Sequence, residues 1–209
     1  MSIFLTETEK QAIHTCRQSS PGAKLYWELL GRADRYTECP GLIHRDDTVQ
    51  WWHLVMERVS DVAMAYALKK NEQYGRWLRD VTMSICRLPK DEWVGPAFRA
   101  SRNIGHLETA HVSWAISLVY DLCSDLFTSQ ELEEIEVALR EKAAALCKGW
   151  LDWEHHFANW RCVLTAGLTL PAAVLGDETM LAQARKEFEI STIVMEKDGT
   201  YGESLQYSQ

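Results

Sequence analysis

The sequence predicts an all-α protein. Long stretches contain little Gly or Pro, and apolar residues recur at helical spacing. No stretch alternates apolar and polar residues as a half-buried strand would. The 209 residues suit a single helical domain, 1–209, and 46% hydrophobic content is enough for a substantial core.

Each element has its own signal. Thr6-Glu7-Thr8-Glu9 has the T-x-x-E form of a capping box and opens a short first helix, which Pro21-Gly22 breaks. A second helix is expected over about 23–35, followed by the loop "YTECPGLIHRDD". Asp47 then caps a long helix to about Lys69, with Trp51, Leu54, Val55, Arg58, Val62 and Ala65 in helical phase. Another runs over about 72–88 and Pro89 ends it. "PKDEWVGPAFRASRNIG" reads as a long irregular loop carrying Trp93, Phe98, Arg99 and Arg102.

"HLETAHVSWAISLVYDLCSDLF" is apolar on more than one side. Thr128-Ser129-Gln130-Glu131 is a second capping box, opening an amphipathic helix with Leu132, Ile135, Leu139, Ala143, Leu146 and Trp150 on one stripe. "NWRCVLTAGLTLPAAVLG" is apolar almost all round, and "ETMLAQARKEFEISTIVMEK" is amphipathic again. Helices buried on all sides thus alternate with helices that keep a solvated face, and short loops make sequential neighbours antiparallel. A double layer of α-hairpins explains this, as would a superhelical array. The absence of a fixed repeat period favours the closed or partly closed double ring.

Composition narrows the function. A net charge of -8 argues against broad nucleic-acid binding, though a local basic cleft can still take an anion. The start, "MSIFLTETEKQAIH", lacks the pattern of a signal peptide, which reads as cytoplasmic. The longest apolar run, 163–175, is too short and interrupted to span a bilayer. Six scattered cysteines without a C-x-x-C pair argue against zinc, and those in helices read as buried core thiols. No cofactor motif is present: neither a P-loop nor G-x-G-x-x-G nor G-x-S-x-G.

Three constellations carry polar chemistry. "DWEHHFANWRCV" places His155, His156, Asn159, Trp160 and Arg161 at or before the start of an apolar helix, whose free N–H groups suit an anion. Asn159 is equally readable there as a helix cap. "FRASRNIGHLETAH" puts Arg99, Arg102 and His106 before another such helix, or simply on the surface. "DGTYGESLQY" is a turn, and Glu203 and Tyr207 share a face if it is helical. It reads equally as a surface turn with one aromatic packed on the core.

Together, "GHLETAHVSWAISLVYDLCSDLFTSQELEEI", "ANWRCVLTAGLTLPAAVLGDE" and "DGTYGESLQY" resemble the N-terminal helical domain of heparinase II/III-like polysaccharide lyases. Alginate lyases and uronyl epimerases share that architecture. The resemblance covers roughly residues 100–209. It implies an incomplete α/α toroid of antiparallel helical hairpins, cut before a C-terminal β-sheet domain, and β-elimination on a uronate-containing anionic polysaccharide. It implies that Asn159 holds the uronate carboxylate and that Tyr207 is the catalytic phenol. Trp160 stands where some members have a histidine, which leaves the general base open.

In that scheme Trp160, Arg102, His106, Glu203 and His156 are substrate-binding, with no metal and no cofactor. Family members that act outside the cell make a periplasmic or secreted site an equal expectation. Trp51, Trp52, Trp93 and Trp160 are candidate stacking surfaces for sugar rings. A C5-epimerase, a non-catalytic carbohydrate-binding domain and a toroidal glycoside hydrolase are the rivals, the last needing two carboxylates across a cleft. A chain cut at this point is expected to be inactive alone. It would also expose an apolar flank of Phe188, Ile190, Ile193 and Val194 and self-associate as a homo-oligomer.

Overall fold

The computed structural model describes residues 2–19, 21–38, 50–95, 104–153 and 159–192. Among these the regular structure is helical throughout: α1 (Glu7–Cys16), α2 (Gly22–Glu38), α3 (Gln50–Lys69), α4 (Glu72–Cys86), α5 (Leu107–Cys123), α6 (Ser129–Ala138), α7 (Ala145–Trp153), α8 (Asn159–Val174) and α9 (Glu178–Ser191). The Asp47 cap, the side chain of Trp51 and the flank residues Ile193 and Val194 lie outside the described residues.

Local chemistry sets the helix starts. Both capping boxes form. Thr6 accepts from the Glu9 amide while Glu9 accepts from the Thr6 amide, and Thr128 and Glu131 do the same at α6. Asn71 and Asp177 cap α4 and α9. Along the stripe expected on the sixth and seventh helices Ile135, Leu139, Ala143, Leu146 and Trp150 are buried and Leu132 is half-buried. The helix carrying it is not continuous. Residues Leu139–Ala144 form a π-helical turn between α6 and α7, which lets one stripe follow two slightly different phases. The loop expected after Pro89 contains a short 3-10 turn, Lys90–Trp93.

The helices stand in two rows. In the first, α5 lies between α3 and α8. Side-chain contacts fix their directions. His106 meets Trp160, and seven residues on along each helix Ser113 donates to the Gly167 carbonyl. The order is the same in both, so α5 and α8 run parallel. His53 meets His111, and farther along both chains the Cys123 thiol approaches the Ala63 carbonyl, so α3 runs parallel too. The second row, α4, α6–α7 and α9, packs behind them. Arg79–Glu131 and Arg87–Glu134 ion pairs join α4 to α6.

Close approach of α5 and α8 depends on small residues. A Cβ on Gly167 would lie 2.8 Å from the Ala110 Cβ and 2.7 Å from the Cys147 sulfur. Pro171, inside α8, has no N–H, which leaves the Gly167 carbonyl without its helical donor. Ser113 supplies that donor from α5 at 2.7 Å.

α5 is buried nearly all round, as expected, but α8 is not. Cys162 and Ala166 are exposed on one flank of it, and there α8 floors a groove of about 340 Å³ with Trp114 on one wall and Phe188 and Thr192 on the other. Cys162 and Cys16 thereby depart from the expected buried thiols, whereas Cys86, Cys123 and Cys147 conform. Phe188 is 63% exposed, as the apolar-flank expectation has it. No described helix is long and apolar enough to cross a membrane.

Candidate functional site

Because α3, α5 and α8 are parallel, their starts gather at one end of the row. Each start brings unpaired N–H groups and a partial positive charge. Asn159 is the first residue of α8 and is half-buried. Trp160 follows it, its ring edge-on to His106 at 5.8 Å and tilted against Trp150 at 6.4 Å.

His106 precedes α5 and is 8% exposed. Burial lowers its pKa, which favours the neutral imidazole. Its backbone amide donates to the Thr109 hydroxyl, which donates to the Trp93 carbonyl, so the 3-10 turn is tied to the start of α5. Gly105 fixes the same junction by donating its amide to the Leu146 carbonyl at 2.7 Å. A Cβ there would lie 2.9 Å from that carbonyl.

Two sequence-predicted site residues, Trp160 and His106, therefore come together, and Asn159 adjoins them as the neighbour of Trp160. Arg102, His156, Glu203 and Tyr207 lie outside the described residues. Arg161, taken with this constellation in the sequence, is otherwise engaged: it is buried and pairs with Glu187 of α9 at 2.6 Å. Two of the expected stacking surfaces are core. Trp52 is 2% exposed and Trp93 0%, because both face the row interior, where their bulk fills volume instead of presenting a ring. The described tryptophan ring that does open toward the α8 groove is Trp114, at 39% exposed.

Sequence reasoning missed three further groups at this end. His53 of α3 and His111 of α5 stack with ring centroids 4.4 Å apart. The pKa of His111 is pushed down to about 4, first by burial and then by the charge of His53. Its Nδ1 is buried with no hydrogen-bond partner among the described residues. Glu108, in the first turn of α5, is buried, and its Oε2 has no partner there either. The signal that would have found the histidines is their similar depth from the starts of two helices, and it is readable only once those helices are known to be parallel neighbours.

No protein-family model matches the chain, and no curated protein matches it. Among the described residues no group of three or more His, Cys, Asp or Glu side chains is placed to hold a metal ion.

Proposed function

We propose that the chain is the helical part of a polysaccharide lyase that cleaves uronate-containing polymers by β-elimination. Its two rows of helices would then be a segment of an incomplete α/α toroid, with further domains completing the enzyme. One observation carries the reading. Trp160, next to Asn159 at the start of α8, meets His106 at the start of the parallel helix α5.

That arrangement suits a uronate. Its carboxylate must gain electron density as the C5 proton leaves, and an amide donor at the positive end of a helix stabilises such an anion. In the reaction a general base, which the residues named here leave open, takes the C5 proton, and the electron pair of the broken C5–H bond forms the C4=C5 double bond. The C4–O4 bond breaks, and O4 receives a proton from a general acid, assigned to the Tyr207 phenol. Trp160 offers an apolar face beside the amide, and the neutral His106 a hydrogen bond.

The test is a screen with heparan, chondroitin, alginate and hyaluronan, read by ultraviolet absorbance of the unsaturated product. The chain is assayed both alone and within any longer polypeptide that contains it. Absorbance growing on one uronate polymer supports the reading. Silence on all four from a folded, longer polypeptide overturns it.

A further inference from the structure

Resting on that reading, we infer that His53 and His111 form a second anion subsite, which takes a further acidic group of the polymer held at Asn159. The site is built from two neighbouring helices, one ring from each, at the end of the row where Asn159 and His106 lie. His53 is exposed, so the pair is open to a ligand. His111 lies five residues along α5 from His106, a rise of about 7.5 Å. Five residues also turn the helix by about 140°, so His106 faces α8 and His111 faces α3, and a polymer laid across the helix starts passes both.

Among the described residues the pair has no hydrogen-bonded partner that would compete with a ligand. Nδ1 of His111 is buried with no hydrogen-bond partner among the described residues. Of the charged groups on the elements packed around it, Glu57, one turn beyond His53 on α3, accepts from Tyr36 of α2, and Arg58 lies over the Tyr36 ring. Glu108, one turn earlier on α5, sits against Gly95, and Arg161 of α8 is held by Glu187. His53 is the described charge that bears on His111.

Without a ligand, burial and the neighbouring ring keep His111 neutral down to about pH 4. An anion placed against the rings reverses that balance, because an opposite charge favours the protonated form. The complex then binds more protons than the free protein. Binding takes up a proton and strengthens as pH falls from neutrality, by a factor of at most about ten per pH unit for each proton taken up.

The experiment is titration calorimetry with mannuronate, chondroitin and heparin hexasaccharides. The tightest of the three is then measured at several pH values in buffers of different ionisation enthalpy. The expected result is net proton uptake that His111→Gln abolishes, with affinity reduced roughly tenfold or more. His53→Gln, at an exposed position that leaves the core intact, should reduce the uptake as well. Binding without proton uptake, or uptake unchanged in both variants, overturns the subsite and leaves the lyase reading standing. Proton-linked binding beside silence of the folded, longer polypeptide in the elimination screen keeps the subsite and removes the lyase reading. No binding of any hexasaccharide overturns both.

Discussion

The two ends of the α3–α5–α8 row are built on opposite terms. At the far end, where α5 finishes, acidic side chains are saturated with donors. Asp121 accepts from the Ser2 hydroxyl and from the Ile3 and Phe4 amides, strapping the N-terminal segment across α5. Asp125 accepts from the Tyr66 hydroxyl and from Lys70. Glu131 accepts from the Thr128 amide and from Arg79. At the near end, Glu108 is buried and His111 half-buried, and each keeps a buried atom with no partner among the described residues. A buried polar atom left without a partner costs stability, on the order of 1–3 kcal/mol. The far end is therefore organised for holding the fold, and the near end keeps those unpaired polar atoms on Glu108 and His111.

If that contrast is right, substitutions at the near end act on function out of proportion to stability. Asn159→Ala should lower turnover on the responsive uronate polymer by about 10²–10³-fold, as for loss of one donor to a developing anion. The fold should lose no more than about 1 kcal/mol, the scale of a lost cap. Comparing initial rates with the denaturation midpoint separates the two. Activity falling only with the folded fraction would reduce Asn159 to a structural residue and erase the contrast.

Between the ends, both depend on α5 and α8 staying close and parallel. Gly167→Ala places a methyl 2.8 Å from the Ala110 Cβ, and overpacking of that kind costs about 1–3 kcal/mol. Urea unfolding measures it. A substitution that unfolds at the parent's midpoint would mean the helices are not seated as closely as described.

The smallest effect belongs to the far end. Hydrogen bonds from the Thr128 backbone, and then Arg79, hold the Glu131 carboxyl down at about 2, below its ordinary 4.5. A depressed folded-state value means its contribution is present above pH 4.5 and is lost as pH falls toward 2. The parent should therefore lose more thermal stability than Glu131→Gln over that window. Equal slopes in the two proteins would show that this carboxylate does not help fasten the far end.

What the sequence disclosed and what it withheld divide along the same line. Caps at Thr6 and Thr128 are local, decided by residues three apart, and the buried stripe from Ile135 to Trp150 needs only helical periodicity. Asn159, Trp160 and His106 were legible as helix starts, but their meeting was not. It depends on which helices are neighbours and on their common direction, which no local pattern encodes. The same holds for the His53–His111 pair. Tryptophan misled for a different reason. Trp52 and Trp93 are buried and Trp114 is partly open, and a large ring serves equally as core filling or as a platform until its surroundings are known.

The π-helical turn at Leu139–Ala144 makes part of the site a matter of residue count. Such a turn amounts to one extra residue threaded into an α-helix. If the same residues wound up as ordinary α-helix with none removed, everything after them would rotate by about 100°. Trp150 would swing away from Trp160, and the Leu146 carbonyl would leave the Gly105 amide that anchors the start of α5. A change that tightened the turn without removing a residue would therefore disturb a site whose contacting residues were all still present, whereas an in-frame deletion of one residue there would leave α7 in its present phase.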